Sequence, residues 1–571
     1  MMKQPTLAYH IPLLLAAMMG RETISAETAS PTFDIWATSD LVRVFEDGVA
    51  RPEKSPAGLQ LFGLRGETLS AQCVIEALAD LTAVTVAVTP LQHASGSAAI
   101  GPAHVEWNFV GSIFLEQNTP KLRKSDLQRA APAWFPDFLN EQRSCACVKD
   151  SLKAVYLTIG IPRDAEPGDY RADVQVTADG VSGTLPLTLT VYPLQLPDER
   201  HLLVTEWYST HRFRQFHGVD SADSERFFTV LRTYAENMAQ HRQNVFRVSL
   251  ELIRSARGAD GRLQFDFSTF DRWAQVFWDT GRMDWLETGF VAEFGEGGWS
   301  SRELALRDFS VRDDASGQTV TVAGADFLPD FLPALVEHLR TKGWLEKTLF
   351  HICDEPSNHN VVAWREASAF IHRHAPDLRR MDAIESPHCQ DQLEVWVPKL
   401  DHLATWQSQY EHAQRQGHEL WFYTVGIFQG GSLPNKTVDV PLIESRLMHW
   451  LNYRYGLTGY LHWGFNAWTD DPINAPGQHR GDGWHVYPKQ DGLLNSLRWE
   501  QMRNGIQDYE CLWLLEDRIA RMRRALSARV AEFIRPNQRG VEIATQVVRS
   551  YGDYTREPAV LYTARRQVIA E

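Results

Sequence analysis

Asp354 and Glu355 lie side by side in the segment His351-Ile352-Cys353-Asp354-Glu355-Pro356, where an apolar run stops in two acids and Pro356 ends regular strand pairing. Two neighbouring carboxylates are costly to bury together, because each ionised group raises the pKa of the other. An acid held protonated near neutral pH suits cleavage of a glycosidic bond, in which the leaving oxygen must receive a proton as the bond breaks. A plainer role also fits these residues, an acidic cap on a following helix with Asp354 serving the backbone and Glu355 solvated.

Other chemistries find less support. The 20 histidines show no HExxH or comparable ligand spacing, so no metal is expected. No GxGxxG turn follows any strand candidate, which argues against a dinucleotide fold, and no cofactor is expected. The six cysteines form neither a CxxC pair nor a dense framework; Cys145 and Cys147 read as strand neighbours, not a zinc site.

Acids at a strand end need elements to present them. After Pro193-Leu194-Gln195-Leu196-Pro197 the chain alternates strand-like segments with amphipathic helices, as a parallel α/β architecture requires. Strand candidates are Thr205–Tyr208, Val245–Val248, a run near Gly289–Val291, Thr348–Ile352, Arg380–Ile384, Leu393–Val397, Glu419–Tyr423 and Gly459–Trp463, about the eight of a closed barrel. Ser224 to Gln240 reads as the first helix and Ser496 to Arg524 as a long closing one. In such a barrel the functional groups sit where strands end, and that filter selects Asp354 and Glu355. From about Phe33 to Pro197 short alternating runs such as Val84–Val88, Ala154–Ile159, Ala172–Val176 and Leu187–Val191 give an all-β pattern, best fitted by a β-sandwich. The expected fold is α/β plus all-β, an N-terminal β-sandwich over 30–197 followed by a (β/α)8 TIM-like barrel with C-terminal helices over 198–571.

The length of 571 residues exceeds what one hydrophobic core organises. A net charge of -15 without a basic block argues against nucleic acid, and beyond the N-terminus no stretch approaches a membrane span. Lys3, the apolar segment from Ile11 to Met19 and the small residues Ser25 and Ala26 resemble a secretory signal over residues 1–26, implying export to the periplasm or outside. The 19 tryptophans suit a protein that binds sugars, whose apolar faces stack on indole, although tryptophan also fills cores.

Near other strand ends, Tyr208, Trp396, Trp421, Tyr423, Trp463 and Trp468 are candidates for a sugar pocket, with Trp484 a further one, and Asp382 and Asn466 for hydroxyl recognition. His241 and His462 are weaker candidates, since a lone histidine is more often structural. Arg498, Glu500 and Asp508 on the closing helix read as structural ion-pairing groups. A conventional glycosidase would need a second acid from another strand, and Glu206, Glu251, Glu293 and Glu385 are available.

Several blocks in order carry a family resemblance: Cys353-Asp354-Glu355-Pro356, Val395-Trp396-Val397-Pro398, Leu420-Trp421-Phe422-Tyr423, Gly459-Tyr460-Leu461-His462-Trp463 with Asn466 and Trp468, Gly481-Asp482-Gly483, and Arg498-Trp499-Glu500 running to Asp508-Tyr509. From about Gly66 to Leu515 the chain resembles glycoside hydrolase family 123, whose characterised members are exo-acting β-N-acetylgalactosaminidases with a β-sandwich before a (β/α)8 barrel. The resemblance implies a substrate-assisted mechanism in which the sugar's 2-acetamido carbonyl attacks the anomeric carbon. Glu355 would then be general acid and later base, and Asp354 would orient the acetamido N–H. The implied partner is a glycan with a terminal N-acetylhexosamine. Adjacent residues of a regular strand face opposite sides, so both acids can serve one sugar only if the strand has ended at Asp354. A conventional glycosidase acting on another sugar, or a carbohydrate-binding protein without catalysis, are the rival readings.

Overall fold

The computed structural model describes residues 31–571 apart from 220, 222–223, 390–391, 429–431, 532 and 535–537. The expected secretory signal lies outside the described residues.

Two sheets build the N-terminal part. One runs in the order Phe33–Thr38, Thr68–Ala77, Leu152–Gly160, Val105–Leu115, Ala133–Asn140 and is antiparallel throughout. The other is led by Leu59–Arg65, Val181–Gln195, Gly168–Ala178 and Leu81–Val88, with one parallel pairing, between Leu59–Arg65 and Val181–Gln195. Strict alternation decides which side chains enter: along Gly168–Ala178 Tyr170, Ala172, Val174, Val176 and Ala178 are buried and the residues between them exposed. These side chains meet Ile75, Val155, Leu157 and Ile159 of the first sheet in one apolar core.

Eight parallel strands form the second part: β1 Leu203–Glu206, β2 Val245–Arg247, β3 Trp285–Gly289, β4 Thr348–His351, β5 Arg379–Ile384, β6 Val395–Pro398, β7 Glu419–Tyr423 and β8 Gly459–His462. Their order is β1-β8-β7-β6-β5-β4-β3-β2. The remaining seam, between β1 and β2, is bridged by Asn244, whose N–H donates to Val204 O at 3.3 Å while its Oδ1 accepts from Val204 N at 2.9 Å. The sheet is therefore a nearly closed barrel. Its strands are buried on both faces, as in Thr348–His351, Val395–Pro398 and Gly459–His462, the pattern of a parallel sheet covered by helices. Inside, Leu349, Met381, Val395, Val397, Trp421, Tyr423 and Leu461 fill the barrel; outside, Phe350, Leu420, Phe422 and Tyr460 meet the helix layer.

Helices follow most strands, including Glu225–Gln240, Ser268–Trp278, Gly324–Lys342, Val361–His374 and Ile443–Tyr455, but among the described residues no α-helix separates β5 from β6. The strand positions agree with the sequence expectation to within a few residues. The larger shift is at β3, which ends at Gly289 instead of running on to Val291: Gly289 sits at φ 124°, and a Cβ there would meet His351 O at 2.3 Å, so the strand ends at this close approach. The closing helix, Leu497–Ala525, is capped by the Ser496 hydroxyl, which accepts from Trp499 N at 3.1 Å. Its Arg498 reaches across to Asp137 of the N-terminal part at 2.9 Å, both fully buried. As expected, Glu500 and Asp508 also serve ion pairs, to Arg503 and to Arg446 and Arg565.

Candidate active site

β4 ends at His351, three residues before Asp354. The chain then leaves the sheet, and Glu355 adopts a left-handed backbone at φ 51° before Ser357 pairs with Glu385 alongside β5. Left-handed geometry at a non-glycine residue costs about 1 kcal/mol or more, and two hydrogen bonds and a buried proline hold it. Glu355 N donates to Ala383 O at 3.0 Å, Glu385 N donates to Pro356 O at 2.9 Å, and Pro356 is buried. The opposite-face problem of adjacent strand residues does not arise, because the strand has already ended.

Asp382 holds this loop from below. Its carboxylate accepts from Ile352 N at 3.0 Å, Cys353 N at 3.1 Å, Trp364 Nε1 at 2.8 Å and His351 Nδ1 at 3.0 Å. Fully buried with its acceptor positions taken, Asp382 is a positioning group and not the hydroxyl-binding group expected from its place on β5. On its other edge His351 Nε2 lies 2.8 Å from Glu287 Oε1. Burial alone would depress the imidazole, but hydrogen bonds and charge from Asp382 and Glu287 lift it to about 9. An imidazolium between two carboxylates thus lies under the acidic loop. Glu287 also accepts from Thr205 Oγ1 at 2.6 Å and Trp207 Nε1 at 2.5 Å, which ties β1, β3, β4 and β5 into one buried network.

The two acids differ in their surroundings. Burial, then the charge of Glu355, pushes Asp354 up to about 7, against the pull of His351 and Arg247. Glu355 is also raised, chiefly by burial, while the Tyr423 hydroxyl donates to its Oε1 at 2.5 Å and opposes that rise. Glu385 and Lys399, themselves an ion pair, act on Glu355 in opposite directions. One proton shared by such a pair supplies an acid beside a carboxylate near neutral pH.

The structure separates the expected pocket residues. Tyr423, at the end of β7, and Trp463, just past β8, belong to the inner aromatic cluster, and Trp463 Nε1 donates to Asp482 Oδ2 at 2.9 Å. Trp421 faces inward too, but is fully buried against Gly459, where a Cβ would meet the indole at 2.1 Å, so it fills the barrel floor. Trp396 and Trp468 pack outside the barrel, with Nε1 groups donating to Leu393 O and Val486 O. Tyr208 also turns outward, donating to Arg247 O and accepting from Trp273 Nε1, both at 2.8 Å. Asn466 is buried and spends its amide on Ser209, accepting from its N at 2.6 Å and donating to its O at 3.0 Å. Trp484 is likewise buried in the outer core.

Sequence reasoning passed over Arg247, Trp207 and Phe290. The Arg247 guanidinium lies 4.8 Å from the Trp207 ring and 4.5 Å from that of Phe290, which in turn stacks on His351 at 4.5 Å. Arg247 ends β2, so the strand-end filter would have found it had it not been confined to acids and aromatics.

Of the alternative second acids, Glu251 and Glu293 are exposed. Glu206 is buried, its carboxylate meeting Lys436 Nζ at 3.4 Å, His462 Nδ1 at 3.0 Å and His485 Nε2 at 3.2 Å. Glu206, His462 and His485 place ligand-type atoms within 4.8 Å of one another. The Lys436 ammonium, 2.9 Å from His485 Nε2, already supplies a cation among them. Burial brings Lys436 down to about 8 and, with the lysine charge, His485 down to about 3. His241 pairs with Glu500 at 3.0 Å and is structural.

The sequence model described as glycoside hydrolase 123, catalytic domain, matches residues 206–515, and that of the glycoside hydrolase 123 N-terminal domain matches residues 45–178. Among solved structures, a family 123 glycoside hydrolase from Clostridium perfringens is similar with a TM-score of 0.73 and 17% identity over 94% of this chain and 98% of that one. Much looser likeness links the chain to an endo-β-1,4-mannanase from Thermotoga petrophila, with a TM-score of 0.32 and 12% identity over 55% of this chain and 77% of that one. No curated protein sequence matches the chain.

Proposed function

Since the chain belongs to glycoside hydrolase family 123, and is a glycoside hydrolase, we propose that it is an exo-acting β-N-acetylgalactosaminidase that retains anomeric configuration through the substrate's own 2-acetamido group. The observation that carries this reading is the adjacent pair Asp354 and Glu355, both raised by burial, with Tyr423 donating to Glu355.

Glu355, protonated, gives its proton to the leaving oxygen while the acetamido carbonyl attacks the anomeric carbon. By accepting from the acetamido N–H, Asp354 is favoured in its ionised form when substrate is bound, which leaves the one proton of the pair on Glu355, and its carboxylate offsets the positive charge that grows on the acetamido group. The Glu355 carboxylate then takes a proton from the water that opens the oxazoline-type intermediate. Substrate-assisted enzymes need no enzyme nucleophile, so the usual spacing rule for two carboxylates does not apply. Arg247 at the end of β2, Tyr423 at the end of β7 and Trp463 just past β8 are the polar and aromatic groups that would receive the sugar. The similar Clostridium perfringens enzyme is described by its hydrolysis of glycolipid glycans, and a glycan ending in N-acetylhexosamine suits the pocket proposed here.

In this reading residues 30–197 are a β-sandwich that supports the site, residues 198–571 a (β/α)8 TIM-like barrel, and residues 1–26 direct export. No helix among the described residues is long and apolar enough to cross a membrane. The second reading, a conventional two-carboxylate glycosidase, draws on Glu385, whose charge acts on Glu355 from the neighbouring strand end. Hydrolysis of aryl β-N-acetylgalactosaminide, β-N-acetylglucosaminide and β-galactoside, with Glu355→Gln as control, separates the two. Activity confined to acetamido sugars and lost in the variant supports assistance by the substrate; cleavage of the galactoside favours an enzyme nucleophile.

A further inference from the structure

Beyond β3 the chain rises into a hairpin of Ala292–Phe294 and Leu304–Leu306. Its base is fastened to the acidic loop: Val291 N and Ala292 N both donate to Ile352 O, at 3.0 and 2.9 Å, two residues from Asp354. Its far side is held by Asn360, whose Nδ2 donates to Ser301 O at 3.1 Å. At the tip, Gly297 and Gly298 take φ 99° and 59°, and a Cβ at either would meet nothing within 4 Å. Glycine is used there for backbone geometry and not for packing. The turn lifts Trp299, 63% exposed, into solvent. Trp134, the other tryptophan among the exposed large apolar residues, rests against the Phe114 ring at 5.4 Å.

An indole raised on a fixed hairpin at the strand-end face is a surface on which the apolar face of a sugar ring can stack. We propose that Trp299 is the platform of a second sugar subsite, which receives the saccharide on the leaving-group side of the scissile bond. The assignment rests on the acetamido-sugar reading of the acidic pair, and adds to it that the preferred substrate is a glycan at least two sugars long and not an isolated glycoside.

The test compares native protein, Trp299→Ala and Trp299→Phe on methyl β-N-acetylgalactosaminide and on β-N-acetylgalactosaminyl-galactose, two substrates that both release an alcohol. Trp299→Ala should lower kcat/KM for the disaccharide about 10-fold and leave the methyl glycoside unchanged, with Trp299→Phe between the two. Equal effects on both substrates, or native rates on the disaccharide, overturn the assignment while leaving the acidic pair untouched. Native protein that cleaves neither overturns the acetamido reading and this one with it.

Discussion

The Tyr423 hydroxyl, at the end of β7, donates to Glu355 Oε1 at 2.5 Å from across the barrel mouth. The bond favours the carboxylate over the acid and so restrains the rise that burial causes in Glu355. In Tyr423→Phe the Glu355 pKa should climb further, moving the alkaline limb of the kcat/KM profile to higher pH. The loss at the optimum should be roughly 10-fold. A profile superposable on the native one would show that the two groups are uncoupled in solution.

Asp354→Asn should inactivate the enzyme and stabilise the fold. The folded-state pKa of Asp354 is raised to about 7 from an ordinary 3.8, so the folded protein holds a proton that the unfolded chain releases. Its contribution to stability is fully present below the unfolded pKa and is lost as pH rises through about 7. The variant should therefore gain over the native protein as pH rises across this window, by roughly 1–3 kcal/mol above it, and show no gain at the acid end. Denaturant unfolding across that pH range checks the sign.

Asp382→Asn keeps the shape of the side chain but removes the charge beside His351 and one acceptor from the Ile352 and Cys353 amides. The acidic loop should shift. A displacement of about 1 Å costs on the order of 100-fold in rate, so kcat should fall while KM stays near native. A rise in KM alone, with kcat intact, would place Asp382 in substrate recognition instead.

Asp137 is buried between Arg43 and Arg498, at 3.4 and 2.9 Å, and accepts from Tyr487 OH at 2.7 Å. Burial would raise its pKa, but the two guanidinium charges hold it below the usual carboxylate range. Asp137→Ala removes the ion-pair partner of both arginines and should destabilise the protein by about 3–5 kcal/mol. Urea unfolding measures it, and Asp137→Leu combined with Arg498→Met should recover part of the loss.

The acidic pair was legible because two carboxylates just beyond an apolar strand are a local pattern, and the eight strands were legible because each is a short segment with apolar residues at its centre. The pocket lining was not. Val395, Trp396 and Val397 are all apolar, yet Trp396 faces the helices and its neighbours face the barrel interior. In a strand buried on both sides, polarity carries no record of which parity points inward. Asp382 and Asn466 looked like free polar groups at strand ends for a related reason: the donors that satisfy them come from distant parts of the chain.

Local sequence thus determined the succession of strands along the chain, the place where β4 stops and the pairing of two adjacent acids just beyond it, since each follows from residues within a few positions of one another. Only the tertiary structure decided that Glu355 turns left-handed against Ala383, that His351 bridges Glu287 and Asp382, and that Arg247 lies over Trp207. Those relations join separate strands, and their energies depend on burial and on charges brought close by barrel closure, which no local stretch of the chain contains.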